Sequence, residues 1–108
     1  MKLEKFFKAI IDEDRASVVI CDKEHNIIYM NPAAVKNYEK RGGEGLLSKS
    51  IFDCHNSRSV AAIKEVVNAF EQNPDLNRVF TFHNEKQNKD VYMVALRDEG
   101  GELLGYYE

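Results

Sequence analysis

The chain has 108 residues, 44% of them apolar and 31% charged, with a net charge of −3. These values fit one soluble globular domain and argue against disorder. The densest basic stretch, Lys36, Lys40 and Arg41, is interrupted by Glu39. It reads as a solvated helix end; a nucleic-acid surface would need clustered Lys and Arg, and none is expected. No apolar run approaches the roughly twenty residues of a membrane span, and charges break up residues 1–5, so neither membrane anchoring nor a signal peptide is expected. Cys21 and Cys54 both sit in apolar surroundings and read as buried thiols of a reducing compartment, which points to the cytoplasm.

Along the chain, residues 3–12 predict an amphipathic helix, with Leu3, Phe6, Phe7, Ile10 and Ile11 on one stripe. Residues 17–22, rich in β-branched side chains, predict a strand; a polar turn and a second strand at 27–30 complete a hairpin. Asn31-Pro32 predicts a helix start, because the Asn side chain can accept from unsatisfied backbone N–H groups and Pro has no N–H to lose. That helix should run to about Arg41, where Gly42-Gly43 stops it. Leu46, Leu47, Ile51 and Phe52 predict short helical turns packed inward. Asn56-Ser57-Arg58-Ser59 offers capping oxygens for a longer helix over 58–72, with Val60, Ile63, Val67 and Phe70 on one side and Asn73-Pro74 at its end. Strands follow at 78–84, 91–97 and 102–107, joined by a polar loop at 85–90 and by the turn Asp98-Glu-Gly-Gly101.

This order predicts an α+β fold. Two hairpin regions flanking a helical block should form a five-stranded antiparallel sheet with short helices on one face. The N-terminal helix is expected to extend from the domain or to cover the other face.

Three stretches resemble the PAS family of sensor domains. Residues 17–22 with Asn26-Ile-Ile-Tyr-Met-Asn-Pro-Ala-Ala34 are similar to its opening hairpin and helix entry, residues 46–53 to the turn between its central helices, and Arg97 to Tyr106 to its last hairpin. One departure is Ser48, where the family usually has Gly. The resemblance covers about residues 15–108, with residues 1–14 as a flanking helix. It implies a sensory module that holds a small molecule between sheet and helices, or pairs with another domain, and signals through flanking helices. No kinase, cyclase or DNA-binding segment is contained in residues 1–108, so output is expected through a dimer partner, a separate signalling protein or residues outside this sequence.

Cys54-His55 is the most unusual stretch and is similar to one in PAS modules joined to hemerythrin-like domains. His55 could contact a ligand or hold a haem iron from one side; it could equally bond a backbone group near the helix start while Cys54 fills core space. A structural zinc site is not expected, because His25, His83 and Cys21 are scattered. His25 reads as a solvated turn residue and His83 as half-buried on its strand. A photoactive flavin is not expected either: the light-oxygen-voltage subclass that this region resembles has its reactive Cys where Ile51 stands. The chain carries no phosphate-binding Gly-rich loop and no nucleophile elbow, and is not expected to be an enzyme.

Strand alternation and helix faces nominate a cavity lining for a small apolar or amphipathic ligand. From the strands come Val19, Cys21, Ile27, Tyr29, Phe80, Phe82, Val91 and Met93, and from the helices Tyr38, Ile51, His55, Ile63 and Val67. Ordinary core packing is the competing reading for the aromatic members. A homodimer is expected through Phe6, Phe7 and Ile10 together with outward strand residues Tyr92, Val94 and Tyr106.

Overall fold

A computed structural model describes residues 2–108, apart from the side chain of Cys54. The expected buried thiol at Cys54 therefore lies outside the described residues, whereas Cys21 is buried. The elements are α1 (Leu3–Glu13), β1 (Val19–Asp22), β2 (Ile27–Met30), α2 (Pro32–Asn37), three tight helical turns (Glu39–Arg41, Gly43–Leu46, Ile51–Cys54), α3 (Ser57–Gln72), β3 (Arg78–Asn84), β4 (Lys89–Arg97) and β5 (Leu103–Tyr107). Among the described residues no helix is long and apolar enough to cross a membrane.

The five strands form one antiparallel sheet in the order β2-β1-β5-β4-β3. The two hairpins meet where β1 pairs with β5, so first and last strands are neighbours at the middle of the sheet. Gly105 permits that pairing: a Cβ there would lie 2.0 Å from the carbonyl oxygen of Cys21. Helix α3 buries Ile63, Val67 and Phe70, and these join Val19, Cys21, Ile27, Met30, Ile51, Met93 and Tyr106 in one apolar core. Arg97 ties the end of α3 to the sheet, its guanidinium donating to the carbonyls of Phe70 (2.8 Å) and Leu76 (3.0 Å). A backbone zipper joins the β1–β2 turn to the central turns: Ile27 N–H donates to Lys49, Ser48 N–H to Ile27 and Ile51 N–H to His25.

Three strand residues face opposite to expectation, each beside an irregularity in the ladder. Cys21 pairs with Ile27, but Ile20 pairs with Tyr29, which makes Ile28 an extra residue. An extra residue inverts the side-chain alternation, so Tyr29 faces the outer side and Met30 takes the core position. The pairs Phe80–Tyr92 and Phe82–Val91 leave Thr81 extra, so Phe80 turns outward against Tyr92 while Phe82 turns toward the helices. Leu96 pairs with Gly105 and Arg97 with Leu103, leaving Leu104 extra. Tyr106, expected on an outer dimer face, is consequently buried completely in the core.

Helix α1 keeps its apolar stripe in solvent: Leu3, Phe6, Phe7 and Ile10 are 52–70% exposed. Its attachment is polar. Tyr29 donates to Asp12, which is also paired with Lys8 at 2.6 Å, and the Asn31 amide donates to the Ile11 carbonyl at 3.0 Å.

Candidate functional site

The helical block and the sheet border an open cleft of about 880 Å³. Ala16 and Ser17 border it ahead of β1, Asn37, Tyr38 and Arg41 from the end of α2, and Asp53, His55, Asn56 and Ser59 around the start of α3. The sheet contributes Val19, Phe82, Asn84, Gln87, Lys89, Asp90 and Val91; Tyr92 also borders it, although its ring packs against Phe80 on the outer face, and Glu108 lies just past β5.

The polar part of the wall arises from local structure. Asn56 caps α3, its side-chain oxygen accepting from Ser59 N–H at 2.9 Å, and this holds the preceding His55 in extended backbone beside the sheet. His55 Nδ1 lies 2.8 Å from the Ile51 carbonyl oxygen. A carbonyl only accepts, so Nδ1 carries the proton and Nε2 is directed elsewhere. Nε2 lies 3.9 Å from Glu108 Oε1, both side chains being largely buried at 15% and 12% exposure. Glu108 is placed there by backbone pairing with Val19, whose N–H donates to its carbonyl at 3.1 Å. Burial pushes the Glu108 carboxyl above its ordinary range, opposed in part by the nearby His55. The β3–β4 hairpin is latched across to α2, Gln87 Nε2 donating to Asn37 Oδ1 at 2.7 Å.

Of the residues nominated from sequence, the structure brings Val19, Tyr38, His55, Phe82 and Val91 to the cleft. Cys21, Ile27, Ile51, Ile63, Val67 and Met93 lie deeper, in the close-packed core. Tyr29 and Phe80 stand on the outer face, turned there by the extra residues Ile28 and Thr81. The polar members Ser17, Asn37, Asn84, Gln87 and Glu108 carry no sequence signal that sets them apart from surface residues; only the capping role of Asn56 was legible.

The remaining histidines correct their sequence readings. His25 is partly buried, with Nδ1 2.8 Å from the Tyr106 hydroxyl and its ring 4.4 Å from that of Phe52. Burial, with the charge of Lys64, holds its pKa below the ordinary imidazole value, while burial pushes the Tyr106 phenol far up. Tyr106 thus stays protonated and can donate to a neutral His25. His83 is exposed and bonds Asp90 at 2.8 Å instead of being half-buried. Among the described residues no group of His, Cys, Asp and Glu could hold a metal ion.

No curated protein matches the chain. Solved structures do. A C-terminal domain from Streptococcus mutans is 20% identical, with a TM-score of 0.72 over 99% of this chain and 81% of that one. The PAS domain of a Colwellia psychrerythraea protein is 16% identical, with a TM-score of 0.68 over 98% and 92%. The Aer2 receptor from Vibrio cholerae, described as a dual PAS-haem oxygen sensor, is 21% identical, with a TM-score of 0.55 over 84% and 87%. At these identities the likeness is one of fold. The family model for the PAS fold matches residues 5–107, and the chain with its five-stranded sheet and overlying helices therefore belongs to the PAS family of sensory and signal-transduction modules.

Proposed function

We propose that the chain senses a small molecule held in the cleft between helices and sheet and passes the signal on through α1 to a second copy of itself. The observation that carries this reading is the 880 Å³ space bordered jointly by α2, the start of α3 and the β3–β4 hairpin. A ligand there touches α2 and the β3–β4 hairpin, which the Gln87–Asn37 bond links, together with the start of α3, and so favours one arrangement of them over another. The wall is polar and aromatic, which supports a polar or amphipathic ligand over a purely apolar one. Native mass spectrometry of gently purified protein is expected to show a bound small molecule, and Val91→Trp, which puts a bulky ring into the cleft wall, to weaken its retention. Protein that is empty in both forms, and stabilised by no member of a metabolite panel, would sink the reading.

The second-copy part rests on the uncovered stripe of α1 and on the outer sheet face, where Phe80, Tyr92 and Val94 stand together. The haem-containing neighbour raises a second reading, with His55 as the axial ligand and the Cys-His stretch as its signature. The residues present do not suit it. Nε2 faces Glu108, an acid, at 3.9 Å, and Asn37, Asn56, Asn84 and Gln87 line the cleft, whereas a haem pocket is chiefly apolar.

A further inference from the structure

Glu108 lines the cleft with a carboxyl for which the described protein supplies no hydrogen bond at Oε1. Buried polar atoms are nearly always satisfied, and an exception calls for a reason. His55 Nε2 lies 3.9 Å away, beyond hydrogen-bond reach, and the other ring nitrogen bonds the Ile51 carbonyl. The remaining acids of the cleft differ: Asp90 pairs with His83, and Asp53 is exposed. The cations Arg41 and Lys89 are exposed as well, where solvent and salt screen them. The rings of Tyr38 and Phe82 line the same cleft, surfaces of the type that attract organic cations.

We propose that the cleft takes a small protonated organic amine, whose N–H groups donate to the Glu108 carboxylate while its carbon skeleton lies against Tyr38, Phe82 and Val91. Oε1 is shut off from solvent, so a rotation of the Glu108 side chain presents the carboxylate to the entering ammonium group. The amine completes the hydrogen bonding of the acid and supplies the counter-charge that a buried carboxylate requires. This assignment rests on the reading of the cleft as a ligand site and adds the charge and class of its occupant.

The test is calorimetric titration with phenethylamine, 2-phenylethanol and phenylacetate, which share a ring and differ in the charge of the terminal group. Phenethylamine is expected to bind about tenfold more tightly than the alcohol, the difference a charge-assisted hydrogen bond makes, and phenylacetate most weakly. In Glu108→Gln the amine should lose that advantage with the circular dichroism spectrum unchanged. If that variant does not fold, the carboxyl carbon resonance of Glu108 in the unmodified chain serves instead: it should move on adding phenethylamine and stay put with the alcohol. Equal binding of amine and alcohol, a preference for phenylacetate, a ranking that survives Glu108→Gln, or no binding of the amine overturns the assignment. An acidic or neutral compound found in the cleft by native mass spectrometry also overturns it, while leaving the ligand-site reading intact.

Discussion

Asn31 uses both ends of its amide on backbone groups. Its oxygen accepts from Ala34 N–H and Val18 N–H, each at 2.9 Å, and its nitrogen donates to the carbonyls of Ile11 and Ala16, each at 3.0 Å. The residue is completely buried, so Asn31→Ala loses a helix cap and strands several backbone groups. The expected cost is about 3 kcal/mol, read from the midpoint of urea unfolding. The capping half of this role was legible in Asn31-Pro32. The bonds to Ile11 and Ala16 were not, because they exist only once α1 and the segment before β1 have been brought alongside. Glu108 was equally silent, since nothing in a sequence separates a buried acid from a solvated one. Its raised pKa sets a sign for pH dependence. Above the ordinary glutamate range, near 4.3, the unfolded chain releases this proton while the folded chain retains it. Stability should therefore fall as pH rises from there toward the folded pKa, and level off beyond it. Denaturant titrations across that window should show the decline in the native chain and its loss in Glu108→Gln.

Elements were far easier to read than their faces. The strands expected at 27–30 and 78–84 match Ile27–Met30 and Arg78–Asn84, and the helix expected over 58–72 matches Ser57–Gln72, because apolar period and turn chemistry are local. What failed was the assumption of unbroken alternation. The extra residues Ile28 and Leu104 reverse the facing of Tyr29 and Tyr106, and Thr81 sends Phe80 and Phe82 to opposite faces; a bulge leaves little trace when the residue involved is itself a good strand former. Ser48, which stands where the family usually has Gly, has a φ of +71°. That left-handed conformation costs a side-chain-bearing residue about 1 kcal/mol or more, and glycine adopts it freely. Ser48→Gly, its flexibility in the unfolded chain allowed for, is expected to raise stability by about 0.5 kcal/mol. An unchanged or lower thermal midpoint would contradict that account.

For the molecule as a whole, the uncovered stripe of α1 is the largest departure from a self-sufficient fold. Phe6 and Phe7 are 55% and 54% exposed and Ile10 70%, an arrangement expected of an interaction surface. A second copy that covers the stripe is expected to give a dimer in light scattering at micromolar concentration, and Phe7→Glu to give a monomer with an unchanged domain spectrum. A monomer in both cases would remove the dimer from the functional reading. The manner in which α1 is attached has its own consequence. The helix is pinned at one end by Asp12–Tyr29 and by Ile11–Asn31, and none of its residues is buried in the domain core. Swinging the rod to a new angle therefore chiefly requires a few polar bonds to be exchanged at a pivot, with only the half-buried Ile11 giving up apolar packing. A helix so hinged can be re-aimed at small energetic cost while the sheet and its overlying helices stay shut.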